Sequence, residues 1–309
     1  MKAQPAHLES ISIPQIVADA DINPLKIDKD LLRNSLDDGG AVLVRGFDFD
    51  LKMLQSFTHI LCDDFHIVAT RKARAVSKDD SYTTSVHEQN FALLGHTEGS
   101  YRPSESSPEI CFFMCTVPPS EAGGETTLVD GIQFLAALPE NIRQKFEDFG
   151  VTYEMYWEEE RWQDEFSVNN ISELKAFLDK TAGIKYQLKD NKDLHVCYTT
   201  QAIHKDRLGV PVFANAILAH LPKITSRRYE NISAYSKSSN RVYFGNGEEI
   251  SDEDINQLID IHDDLAYKHK WQKSDLLVID NTRYLHGRTM TAKNCDRKLI
   301  SRFGRLPEL

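Results

Sequence analysis

No stretch of this 309-residue chain approaches the ~18 consecutive apolar residues that a membrane helix requires. The opening segment MKAQPAHLESISIPQIV lacks the apolar core and small-residue cleavage site of a secretory signal. A cytoplasmic protein is therefore expected, with no membrane as partner. Cysteine is scarce. Cys62, Cys111, Cys115, Cys197 and Cys295 are odd in number and scattered, which argues against a disulfide framework. Cys111 and Cys115 would share one face of a strand four residues apart, too far for an easy bridge, so reduced, buried thiols are expected. Basic residues are also in deficit. Thirty-six Lys and Arg against 47 Asp and Glu give a formal charge of −11, which argues against nucleic acid and, more weakly, against an anionic membrane. An anionic small substrate stays open, because a few arginines inside a pocket set the local potential. Proline and glycine nowhere gather into a linker, and no internal repeat appears, so residues 1–309 read as a single domain.

What is present is a sequence ample enough to bury a core without staples; any metal is then there for function. KDLLRNSLDDGG reads as a helix with a glycine stop, followed by a buried strand at 41–44. Residues 51–61, 131–149 and 172–182 also read as helical. Residues 71–90 are polar with few apolar anchors, a candidate mobile loop. From residue 108 to 130 the pattern is strand, turn, strand, with Pro-Pro and Gly-Gly as punctuation. VPVFANAIL begins as a strand and could run on into a helix. SDEDINQLIDIHDDLAYKHK is the clearest helix, with Ser251 as cap, acidic residues in the first turn, and Ile255, Leu258, Ile259, His262 and Leu265 on its inner face. WQKSDLLVIDN and RKLISRFGRL have strand character. Strands toward both ends with helices between them predict a mainly β fold with flanking helices.

Three segments carry chemistry. LLGHTEGSYRP places His96 and Glu98 two residues apart, on one side of an extended segment, where they can chelate one ion. DLLVIDNTRYLHGRT runs an apolar strand into Asp280 and Asn281 and then His286. Two histidines and one carboxylate form a facial triad that leaves half an octahedron open, an arrangement suited to non-haem iron(II). DRKLISR puts Arg297 eleven residues and Arg302 sixteen residues beyond His286. A returning hairpin would bring one of them over the metal, where a guanidinium grips a carboxylate bidentately. Alone, an H-x-E pair is usually solvated, a histidine beside glycine is usually structural, and a C-terminal arginine usually faces water; joint order and spacing with the Gly123-Gly124 turn raise the metal reading.

HTEGSYRP, GGETTLVD, DNTRYLHGRT and DRKLISR, with the early GGAVLVRGF, together resemble the taurine dioxygenase/clavaminate synthase superfamily of iron(II)/2-oxoglutarate-dependent oxygenases. The motifs reach from about Gly39 to Arg302 and are highly specific in combination. The resemblance implies a double-stranded β-helix (jelly roll) with a long insertion, about residues 150–240, between the first and second metal histidines. It implies His96, Glu98 and His286 as catalytic iron ligands, and Thr126 beside the distal carboxylate of 2-oxoglutarate. Arg297 best matches the arginine that pairs with that carboxylate. Arg302 is the alternative, five residues on and so facing oppositely in a regular strand. The cofactors implied are Fe(II), 2-oxoglutarate and O2, in a reaction that couples oxidative decarboxylation to succinate and CO2 with oxidation of a C–H bond.

Related halogenases replace the carboxylate of the triad with a small residue, so Glu98 favours hydroxylation. HxE-x-SY-x-P and the helix near GNGEEISDEDI look similar to enzymes of nonribosomal peptide and related secondary metabolism. The expected substrate is thus an amino acid or a small molecule derived from one, free or bound to a carrier protein. Ser100, Tyr101 and Arg102 are substrate candidates, Arg102 pairing with a substrate carboxylate or merely with Glu105. Arg71, Arg74 and His87 could cover the site or be surface charge. The aromatic, acidic YEMYWEEERW is equally a water-excluding lid or packing onto the core. Phe244-Gly245-Asn246-Gly247 reads as a turn. Rival readings are a desaturase or cyclase of the same family, a jelly-roll binding protein without chemistry, and a zinc hydrolase. The last lacks an HExxH helix.

Overall fold

The computed structural model describes residues 13–18, 23–66, 74–86, 90–103, 107–221, 240–293 and 295–307. It is mainly β with several helices. A seven-stranded sheet has the order β1 (Gln15–Val17), β2 (Ala41–Arg45), β15 (Leu276–Asp280), β6 (Ile110–Val117), β17 (Lys298–Arg305) and β3 (Asp64–Phe65), with β4 (Thr84–Ser85) also paired to β17. A four-stranded sheet runs β14 (Tyr267–His269), β7 (Thr126–Asp130), β16 (Tyr284–Arg288), β5 (Leu93–His96).

These two sheets face each other. Strand alternation sends Cys111, Phe113 and Cys115 of β6, Leu277 and Ile279 of β15, and Leu299 and Phe303 of β17 inward. There they meet Leu128 of β7 and Tyr284 of β16 in one buried cluster. The opposite face of the large sheet packs Val42, Val44, Phe112, Val278 and Ile300 against helices α1 (Lys29–Gly39) and α2 (Leu51–Thr58). The start of α1 is capped by Asp28, and its end by Gly40 in the left-handed region, φ 67°.

The other face of the small sheet, through Val129 and Leu285, joins the largest core. That core also takes in α3 (Gly131–Ala137), α4 (Glu140–Phe149), α5 (Glu159–Phe166), α6 (Ile171–Leu178) and α7 (Asp252–Leu265), with inward residues of a third sheet. The third sheet has the order β13 (Arg241–Phe244), β8 (Val151–Trp157), β10 (Leu194–Thr200), β9 (Ile184–Leu188). A short β11–β12 hairpin (His204–Lys205 with Pro211–Val212) completes the strands. None of the described helices is long and apolar enough to cross a membrane.

Several expectations are revised. Residues 131–149 form two helices, because Leu138 and Pro139 interrupt the first. VPVFANAIL gives a two-residue strand and a single 3-10 turn at Leu218–His220. The described part of the polar stretch 71–90 is tied down: β4 pairs with β17, and Ala75 bridges Thr84. Cys111 and Cys115 are free and buried, as their shared strand face requires.

Candidate active site

His96 ends β5 and His286 is central in β16, and the two are Cα partners across the antiparallel ladder. Opposed side chains on one face of such a pair stand close together; here the ring centroids are 4.6 Å apart. Glu98 lies two residues beyond His96, and its Oε1 is 3.6 Å from His286 Nε2. One ligand atom from each of the three falls within 4.8 Å of the others. All three side chains line one cavity.

The surrounding chain holds this triangle. His96 Nδ1 lies 3.1 Å from the Leu94 carbonyl. A carbonyl only accepts, so Nδ1 carries the proton and Nε2 is left as the electron-pair donor. Buried Asn281 accepts from the Glu98 backbone N–H at 2.8 Å and donates to the Glu98 and Pro108 carbonyls. Behind β5, His262 of α7 accepts from the Gly95 N–H at 3.1 Å. Phe113 packs on His286, centroids 5.2 Å apart.

The donor set fits a cation. The His286–Glu98 separation is too long for a hydrogen bond, and buried His286 Nδ1 has no hydrogen-bond partner among the described residues. Two imidazoles and a carboxylate converging on one point are what a hard-to-borderline divalent metal completes.

Thr126 and Arg297 open on the same cavity. Thr126 is the Cα partner of Arg288, two residues past His286, and its Oγ1 accepts from Trp271 Nε1 at 3.1 Å. Arg297 precedes β17 with the parity of Leu299 and Phe303, which face inward. It is 7% exposed, and among the described residues its buried Nε has no hydrogen-bond partner. Burial, and then the neighbouring Arg288 charge, push its guanidinium down to about 10. Burial does the same to Arg288, whose guanidinium donates to the Phe91 carbonyl and lies over the Phe91 ring. A buried cation lowered in this way is stabilised by an anion.

Arg302 goes elsewhere. It shares the parity of Ile300, on the outer face of the large sheet, where it pairs with Asp80, donates to Thr83 Oγ1 at 2.7 Å and lies over the Phe65 ring. Arg102 is likewise spent: it donates to the Glu165 carbonyl and lies 3.4 Å from the Glu165 carboxylate. Ser100 lines a neighbouring cavity with Arg102 and Tyr153, which meets the one holding the histidines at Thr97 and Glu98. Tyr101 does line the main cavity, its hydroxyl donating to Glu165. Arg74 lines it too; Arg71, His87 and Glu105 lie outside the described residues.

YEMYWEEERW divides between its two readings: Tyr153 and Trp162 are buried in the core, whereas Trp157 and Met155 line the cavity wall. Phe244 to Gly247 is the expected turn, with Gly247 N–H donating to the Phe244 carbonyl. Sequence reasoning missed His220, which lines the cavity, stacks near Tyr101 at 4.8 Å and is pushed down to about 4 by burial.

Residues 10–302 match the family described as "Taurine catabolism dioxygenase TauD, TfdA family". The chain belongs to this family. As a TauD/TfdA-family dioxygenase it is an iron(II)- and 2-oxoglutarate-dependent oxygenase, with Fe(II), 2-oxoglutarate and O2 as its cofactors. A curated relative of this dioxygenase is the dapdiamide synthesis protein DdaC of Enterobacter agglomerans, 23% identical over 265 residues, covering 82% of this chain and 79% of that protein. Among solved structures, PvcB, described as an Fe, alpha-ketoglutarate dependent oxygenase from an isonitrile synthetic pathway, aligns with TM-score 0.57 at 16% identity, over 94% of this chain and 85% of that one. AAD-2, solved with Mn(II) and N-oxalylglycine, aligns with TM-score 0.54 at 13% identity, over 96% of both chains. At these identities the two structures speak for the fold alone.

Proposed function

We propose that this oxygenase holds iron(II) on His96, Glu98 and His286 and hydroxylates a C–H bond of an amino acid or amino-acid-derived small molecule, free or carrier-bound, in secondary metabolism. The carrying observation is the convergence of those three donors at one end of a cavity that also contains Arg297, a buried cation without a carboxylate partner among the described residues. In this reading Arg297 and Thr126 take the distal carboxylate of 2-oxoglutarate, and Arg302 does not, because Asp80 already neutralises it. Bound iron supplies the oxidising power that couples 2-oxoglutarate decarboxylation to C–H oxidation. The protein's own part is positional: Asn281 and the Leu94 carbonyl fix the ligands, and Phe113, Leu299, Met155 and Trp157 keep the cavity apolar around the reacting centre. Glu98 fills the coordination place that a halide would need, so hydroxylation is favoured over halogenation.

The far wall supports a substrate with a carboxylate. Arg102 and Arg161 share one buried carboxylate, Glu165, and Arg161 and Arg74 line the cavity itself. DdaC and PvcB are both named for small-molecule biosynthesis, which agrees with a metabolite substrate. We read the two facing sheets as the halves of a double-stranded β-helix in a single domain, with about residues 150–240 as the insertion between the metal histidines. Free cysteines fit a cytoplasmic setting.

The test is anaerobic titration of the metal-free protein with iron(II) and 2-oxoglutarate. A weak visible charge-transfer band that is absent in His96→Ala supports the site; succinate release coupled to an added amino acid then identifies the substrate. A protein that binds neither ligand would return the chain to an inert jelly-roll role.

A further inference from the structure

The third sheet turns Val151, Tyr153, Met155 and Trp157 of β8 and Leu194, Val196 and Tyr198 of β10 into the core. Its outer face carries a second donor cluster. His195 and Cys197 are two apart on β10 and so point the same way, and Glu154 of β8 is the Cα partner of Cys197. His195 Nε2 lies 2.8 Å from Glu154 Oε1 and 3.7 Å from Cys197 Sγ. One donor atom from each of the three lies within 4.8 Å of the others.

This is not a nucleophile–base–orienter relay, since a relay would place the carboxylate on Nδ1 and the thiol on Nε2. Here both neighbours converge on Nε2, as ligands do around an ion. Tetrahedral zinc with bonds of about 2.0–2.3 Å sets its nitrogen and sulfur ligands about 3.6 Å apart, close to the observed Nε2–Sγ separation. We propose that Glu154, His195 and Cys197 form a binding site for a borderline divalent metal of the zinc type, separate from the catalytic centre. On binding, the Cys197 thiol loses its proton to solvent, His195 exchanges its Nε2 proton through solvent for the Nδ1–H tautomer, and the His195–Glu154 hydrogen bond gives way to two metal bonds.

The neighbours suit this. The Tyr243 hydroxyl, 3.6 Å from Sγ, donates to the sulfur and steadies a thiolate. Tyr156 stacks on the His195 ring, centroids 4.4 Å apart and planes 3° apart, fixing its orientation. The Arg241 guanidinium is engaged by Glu249 and stays 4.0 Å from Glu154. The site joins β8 to β10 on the back of the strand whose inner residues Met155 and Trp157 wall the substrate cavity, so an ion here stiffens that wall.

Cobalt(II) separates the two sites, because the catalytic donors include no sulfur. Metal-free protein titrated anaerobically with cobalt(II) is expected to develop a near-ultraviolet thiolate-to-cobalt band that saturates at one equivalent of this site and is displaced by zinc. The band should persist in His286→Ala and in Cys295→Ser, and vanish in both Cys197→Ser and His195→Gln, with far-ultraviolet circular dichroism confirming that these variants fold. Absence of the band in the wild-type protein, or its survival in Cys197→Ser, overturns the proposal.

Discussion

His96 and His286 face one another as Cα partners on adjacent antiparallel strands, so the two imidazoles are brought together by sheet register rather than by a loop. Binding at such a site links metal to folding. Ligand at about 100 times its Kd stabilises the native state by about 2.7 kcal/mol. Iron(II) or manganese(II) is therefore expected to raise the melting temperature by several degrees, and a chelator to reverse the rise. In His286→Ala the rise should shrink to whatever other sites supply. Scanning calorimetry under anaerobic conditions measures it, and an equal shift in wild type and variant would refute the assignment.

Arg297 and Arg302 should separate cleanly by substitution. Arg297→Met removes a buried charge that has no carboxylate partner among the described residues, so stability holds or rises, while 2-oxoglutarate loses a charge-assisted contact of roughly 1.5–3 kcal/mol, about 10- to 150-fold in affinity. Arg302→Met instead leaves part-buried Asp80 its Gln55 and Thr83 hydrogen bonds but not its ion pair, so stability falls by roughly 1–3 kcal/mol with little change in 2-oxoglutarate affinity. Paired denaturation curves and 2-oxoglutarate titrations check this; the reverse pattern would move the cofactor site to Arg302.

Gly124 supports the same contact from the opposite side. Its φ is +76°, and a Cβ there would lie 2.9 Å from both Arg297 Cδ and Thr291 Cγ2. Gly124→Ala is expected to cost about 1–2 kcal/mol in backbone conformation and to raise the KM for 2-oxoglutarate by displacing the guanidinium. A stable, kinetically unchanged variant would show that Arg297 does not touch the co-substrate.

Much of this site was legible because it is local. His96 with Glu98, and the Gly-Gly turn before Thr126, are short-range patterns, and strand parity puts Arg297 and Arg302 on opposite faces without saying which of them turns inward. The α7 face was equally readable, down to His262 among the buried positions. What escaped depends on distant pairing. Nothing local marks Glu165 as the partner of Arg102, 63 residues away, or Asn281 as the clamp on Glu98, 183 residues away. The third sheet was missed although Ile184–Leu188 alternates apolar and polar residues: a five-residue run with no flanking hairpin signal becomes a strand through its pairing with Leu194–Thr200. His220 sits in a single 3-10 turn with no periodicity to place it.

That histidine gives the last prediction. His220 Nδ1 lies 3.0 Å from the Ala216 carbonyl, its ring packs against Tyr101 and Tyr153, and the Arg161 charge is near. Burial dominates and lowers its pKa to about 4 from an ordinary 6.5. Between those values the unfolded chain binds a proton that the folded chain refuses, so stability is greatest above about pH 6.5 and falls as the pH drops toward 4. His220→Phe keeps the ring packing and removes this titration. Urea denaturation at about pH 7.5 and about pH 5 should show a smaller loss of stability on acidification in His220→Phe than in the wild type. Because the imidazole stays neutral at pH 7, it presents a hydrogen-bonding group to the cavity and not a cation. An identical acid loss in both proteins would mean that His220 is protonated in the folded state, and its place in the cavity would then be that of a carboxylate-binding charge.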